Sequence, residues 1–67
     1  MPLEIIVNGE SRTTPPLSIL DYLCSLEIDP ARVAVELNME ILPKGEYAST
    51  LLKQGDQLEI VHFVGGG

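Results

Sequence analysis

The sequence predicts an α+β domain, with a mixed sheet of four to five strands and one helix packed across one face, in ββαββ order. Three observations lead there. Leu3-Glu4-Ile5-Ile6-Val7 is β-branched and close to alternating, and Asn8-Gly9 follows at once, a strong hairpin signal because both residues tolerate positive φ. Ile19, Tyr22, Leu23 and Leu26 fall at i, i+3, i+4 and i+7, which makes one apolar helical face. Residues 58–64 form a last strand long and apolar enough to be central.

Each element has its own local cause. In the first strand Leu3, Ile5 and Val7 face the core and leave Glu4, Ile6 and Asn8 outside. The returning strand, Glu10 to Thr14, is polar enough for a sheet edge, and Pro15-Pro16 ends it because proline cannot donate to a ladder. Ser18-Ile19-Leu20-Asp21 has the form of a capping box, and Asp21 in the first turn suits the helix dipole. Asp29-Pro30 is the expected stop, since the residue before proline is pushed out of the α region. Val33, Val35 and Leu37 alternate with Ala34, Glu36 and Asn38 in a third strand. Asn38-Met39-Glu40 turns into a short Ile41-Leu42 strand closed by Pro43. Residues 44–52 lack a clear period and read as an irregular crossing with one helical turn. Gln54-Gly55-Asp56 is a tight turn, after which Leu58 and Ile60 point inward and Glu59, Val61 and Phe63 outward.

A chain of 67 residues is one small domain, and its lack of Trp makes the core aliphatic. Its hydrophobic content of 45% is too high for disorder. Cys24 is the single cysteine, so no internal disulfide forms, and the start lacks the basic and apolar pattern of a signal peptide. No apolar run reaches the roughly 20 residues that span a bilayer. The expected location is cytoplasmic, with no membrane partner. Net charge is −6, and Arg12, Arg32, Lys44 and Lys53 are scattered rather than gathered in a stripe, so nucleic acid is not an expected partner.

Signatures of catalysis are missing: no cysteine pair for a metal, no glycine-rich loop between strand and helix, and His62 alone among histidines. No catalytic residue, metal ligand or bound cofactor is expected. The group whose chemistry the sequence does position is the carboxylate of Gly67. Gly65-Gly66-Gly67 follow the last strand directly and divide the chain into a domain over 1–64 and a flexible tail over 65–67. Glycines without Cβ atoms stabilise nothing by packing, but they make a slim, extensible tail that enters a narrow channel. An α-carboxyl has a pKa of about 3.3–3.7, so it is ionised at pH 7 and is a poor electrophile. To carry an acyl group it must first be activated, for instance by adenylation, and this chain has no phosphate-binding loop. If the tail is functional, a separate ATP-binding enzyme must therefore act on it, and the chain is a substrate and carrier. Gly66 and Gly65 give the tail its reach. If the first and last strands lie side by side and parallel, the outer face of the sheet carries Ile6, Val61 and Phe63, an apolar patch for partner docking beside the tail.

Over essentially its full length the chain resembles the ThiS family, the sulfur carrier proteins of thiamine biosynthesis. The resemblance rests on the first strand with Asn8-Gly9, the Ser18-Ile19-Leu20-Asp21 helix start, Val35-Glu36-Leu37-Asn38, Gly55-Asp56, and Glu59-Ile60-Val61 leading to Phe63-Val64-Gly65-Gly66-Gly67. It implies a β-grasp, ubiquitin-like fold. It also implies that Gly67 is adenylated by a ThiF-like adenylyltransferase and converted to a thiocarboxylate with sulfur from a donor such as a cysteine desulfurase. The thiocarboxylate then serves a ThiG-like thiazole synthase, so ATP and sulfur both arrive through partner enzymes. Three other readings stay open: a molybdopterin-synthase small subunit, a ubiquitin-type protein modifier and an interaction domain with an inert tail. The first usually approaches its glycines through a proline, which residues 61–64 lack.

Overall fold

The computed structural model describes residues 1–63, so Val64 and the three tail glycines lie outside the described residues. Five strands and one α-helix follow in the order β1 (Leu3–Val7), β2 (Glu10–Thr14), α1 (Ile19–Ser25), β3 (Val33–Leu37), β4 (Glu40–Leu42) and β5 (Gln57–His62). Short 3₁₀ turns occupy Pro30–Arg32 and Lys44–Glu46. The short strand expected at Ile41-Leu42 is β4, which pairs fully with β3. The sheet runs β2-β1-β5-β3-β4. β5 is parallel to β1 and antiparallel to β3, which makes the sheet mixed and its last strand central.

Asn8 and Gly9 turn β1 into β2 with φ of 50° and 83°, as a tight hairpin of the primed type requires. Asn8 does more than turn. Its Oδ1 accepts from the Ile60 amide at 2.7 Å and its Nδ2 donates to the Ile60 carbonyl at 3.2 Å. The β1–β5 ladder ends at Val7 opposite Leu58, and this side-chain amide continues it where the backbone has turned away. Asn38 does likewise at the other flank of β5. It accepts from the Gln57 amide at 3.0 Å and donates to buried Asp56 at 3.1 Å. The turn before β5 is pinned to β1 as well, since the Gly55 amide donates to the Glu4 carbonyl and the Ile6 amide to that of Asp56.

Helix α1 starts as the sequence indicates. Ser18 Oγ accepts from the Asp21 amide at 3.0 Å, and the amides of Ile19 and Leu20 donate to the carbonyls of Thr50 and Tyr47. The strap after β4 therefore caps the helix, and it also contributes two buried core residues, Tyr47 and Leu52, that the aperiodic sequence there conceals. The helix ends earlier than Asp29-Pro30 suggests. The Ile28 amide reaches the Leu23 carbonyl and the Glu27 amide that of Cys24, a Schellman closure with Glu27 at φ 60°. Leu26 consequently sits on the cap instead of the helical stripe and is 46% exposed. Ile28 takes up its packing role against the core. Ile5, Ile19, Leu23, Val33, Val35 and Leu58 form the fully buried centre. Burial pushes the Tyr22 phenol above its usual pKa, with Arg12 pulling weakly the other way.

Two changes test this account. Asn8→Ala removes both bonds to Ile60 and should lower unfolding free energy by about 1–3 kcal/mol, whereas a midpoint in urea equal to wild type would mean the amide pair holds nothing. Glu27→Gly relieves a left-handed backbone that costs an L-residue about 1–2 kcal/mol, and should raise stability by up to about 1 kcal/mol in the same titration.

Candidate functional site

Two features converge where the chain leaves the sheet: the outer face of β5 and the contacts of Phe63. The outer face is set by register. Val61 pairs with Ala34 and Glu59 with Glu36, and Glu36 pairs on its other side with Ile41. Strand alternation sends these side chains away from the helix, so Val61 is 57% exposed and Ile41 is exposed as well. Ile6 shares this face but not this neighbourhood. It pairs with Gln57, four positions before Val61, which separates the two by about 13 Å along the sheet with Glu59 between. The expected patch of three is thus divided, because a parallel partner that enters β5 at its start cannot reach its end. Glu36 and Glu59 lie directly opposite each other, both exposed, a like-charge pair that disfavours the sheet.

Phe63 lies one residue past β5, so strand alternation no longer governs it. Its amide donates to the Arg32 carbonyl at 3.0 Å. Its ring stands 5.1 Å from Lys44 Nζ, which also lies 5.8 Å from the Tyr47 ring. The same ammonium donates to the carbonyls of Pro30 and Val33. A cation over an aromatic face at a partly exposed site contributes about 0.5–1 kcal/mol. Phe63 remains 54% exposed, so one part of the ring is engaged and the other is open. Lys44 was legible in sequence only as one of four scattered cations. The signal that could have found it is its place in Pro43-Lys44-Gly45-Glu46-Tyr47, a cation three residues before an aromatic in a turn.

The remaining chemistry-bearing residues do not gather. His62 is exposed at the end of β5, and Cys24 is exposed on the helix as a free thiol. No group of three or more His, Cys, Asp or Glu among the described residues could hold a metal ion. Arg12 pairs with Glu10 and Arg32 with Asp29, both at the surface. Among the described residues no helix is long and apolar enough to cross a membrane. Gly67, Gly66 and Gly65, expected to carry and extend the reactive group, lie outside the described residues, although β5 points the chain toward them.

Because Val61 is more than half exposed on the outer face, Val61→Ser should change the melting free energy by no more than about 0.5 kcal/mol. A loss of several times that would show the outer face to be part of the core.

Comparison with known proteins agrees with this geometry. The family model described as the ThiS family matches residues 5–67. Thiazole synthase from Paramagnetospirillum magneticum is 42% identical over 66 residues, which cover 97% of this chain and 20% of that protein. The chain thus spans about a fifth of the length of that relative. Sulfur carrier protein ThiS from Bacillus subtilis is 46% identical over 50 residues, 75% of this chain and 76% of that one. The crystal structure of the thiamine biosynthesis protein ThiS from Geobacter metallireducens superposes with a TM-score of 0.83 at 33% identity, covering 97% of this chain and all of that one. With the family match running from β1 to Gly67 on a five-stranded sheet crossed by one helix, this chain belongs to the ThiS family, and its fold is the β-grasp.

Proposed function

We propose that this chain is a sulfur carrier of thiamine biosynthesis that works through the carboxylate of Gly67. The observation that carries the reading is the continuity from β5 to Gly67: the central strand leads into three glycines, and the family match runs unbroken through them. A glycine tail on a rigid strand is a slim arm on a fixed base. Such an arm suits delivery of a terminus into a closed active site.

In the first step a carboxylate oxygen of Gly67 attacks the α-phosphorus of ATP in a ThiF-like adenylyltransferase, and pyrophosphate leaves. A persulfide from a donor such as a cysteine desulfurase attacks the acyl carbon through its outer sulfur and expels AMP, and a thiol reductant then cleaves the resulting acyl disulfide to the thiocarboxylate, ending as a disulfide. Transfer to a ThiG-like thiazole synthase completes the cycle, a partner favoured by the likeness of this chain to one part of a thiazole synthase. The chain supplies no catalytic group to these steps; it supplies the acyl group, its position and a docking surface. Val61 and Phe63 form that surface beside the exit, with Ile6 as a separate contact further along the same face. The Glu36–Glu59 pair between them favours a partner that presents a basic side chain, which would relieve their mutual repulsion.

Tail length decides the reading. Removing Gly67 leaves a glycine terminus of the same chemistry but shortens the reach by about 3.3–3.6 Å. A misplacement of 1 Å can cost on the order of 100-fold in rate, so pyrophosphate exchange with a ThiF-like enzyme should nearly vanish. Gly66→Ala should also impair exchange, Gly65→Ala less, and neither should move the melting temperature. Full activity of the chain ending at Gly66 would overturn the assignment of Gly67. Intact mass of the protein from its own cells provides the second check: a thiocarboxylate adds the mass of sulfur for oxygen, whereas isopeptide conjugates to target lysines would favour a protein modifier instead.

A further inference from the structure

We propose that Lys44 is a positioning residue for the tail: it fixes Phe63, and through it the point and direction in which the tail leaves the body. The inference rests on the sulfur-carrier reading and adds to it a residue of the 3₁₀ turn Lys44–Glu46 that meets the docking surface at Phe63.

The contacts around Phe63 form a closed ring. The Phe63 amide donates to the carbonyl of Arg32. That residue lies between Pro30 and Val33, whose carbonyls both accept from Lys44 Nζ. The ammonium then stands over the Phe63 ring at 5.1 Å. Phe63 is thereby held at two points, its backbone by Arg32 and its ring by Lys44, which is itself tied to the carbonyls of Pro30 and Val33. A single hydrogen bond would leave the residue free to pivot about it; the second contact removes that freedom. The arrangement has a specific reason to matter at this residue. Beyond Phe63 the sequence offers Val64 and then only glycine, which has no side chain to steer it. The orientation of Phe63 is the last one that side-chain packing among the described residues sets, so it determines where the region reachable by the tail is centred. The stem of Lys44 rises from the 3₁₀ turn Lys44–Glu46, next to buried Tyr47, which anchors the clamp in the core.

The test compares wild type, Lys44→Met and Lys44→Arg in the full chain. Amide hydrogen exchange by NMR reads the clamp without any enzyme. In Lys44→Met the Phe63 amide should exchange about three- to tenfold faster, the loss expected for contacts of this size, while the Ile60 amide keeps its protection. With a ThiF-like enzyme and ATP, Lys44→Met should lower kcat for pyrophosphate exchange by about tenfold or more, with a smaller rise in KM because Phe63 loses its fixed orientation while Val61 is untouched. Lys44→Arg keeps a cation over the ring and should recover most of both losses. If Lys44→Met lowers the protection of Ile60 as well, Phe63→Leu supplies the second variant. It leaves the Lys44 carbonyl contacts in place, removes the ring, and should reproduce the faster exchange at residue 63. An unchanged Phe63 amide in Lys44→Met, or faster exchange there with kcat unaltered, overturns the proposal. A wild-type chain that is never adenylated overturns the sulfur-carrier reading instead, and the exchange measurements still decide whether Lys44 holds Phe63.

Discussion

Everything in this molecule depends on keeping β5 paired along both edges. Six residues at the end of the described chain must find β1, more than fifty positions earlier, and β3 at the same time. Backbone pairing alone does not suffice on the β1 side, where the regular ladder covers only Ile6 and Val7. The two asparagines supply the rest. Asn8 offers a side-chain amide with the donor and acceptor spacing of a peptide group and so lengthens β1 without continuing it. Asn38 does the same at the opposite edge and ties the strand to the carboxylate of Asp56, which in turn accepts from the Lys53 amide. Both asparagines occupy left-handed backbone, where Asn is among the least strained of non-glycine residues. One residue type thus solves the turn and the ladder together.

Much of the fold could be read from local chemistry, and the failures are equally local. The alternation in β1, β3 and β5 and the helical spacing of Ile19, Tyr22 and Leu23 point to one core because burial on a strand or a helix must repeat with its period. Tyr47 and Leu52 escaped because a strap without a repeating backbone has no period to reveal which side is buried. Leu26 was misplaced for a different reason. Its spacing fits the stripe, but the Schellman closure ends the helix at Ser25, and Glu27 in its turn is not the glycine that normally marks such an end. The division of Ile6 from Val61 depends on register, which is set by pairing partners across the whole chain and by no short segment.

For the site, residue types suggest a terminal carboxylate on a glycine arm but leave the contacts around Phe63 unmarked. A carboxylate on a glycine arm follows from the sequence alone. The contacts of Lys44 with Phe63 and with the carbonyls of Pro30 and Val33 come from three segments that only the folded chain assembles. A lysine that bonds main-chain carbonyls and faces two rings has a role that no charge count could separate from solubility.

The parallel pairing of β1 with β5 also bears on when this molecule can act. Synthesis delivers β5 last among the described elements, and until it arrives the sheet lacks its middle strand and cannot close around the helix. Contacts of such long sequence separation slow folding relative to a helical chain of similar size. The strand that completes the body is also the one that carries Val61 outward and leads into the glycines. An unfinished or misfolded copy therefore lacks the paired strand that displays Val61. Completion of the sheet and display of its outer face are thus a single event in this topology.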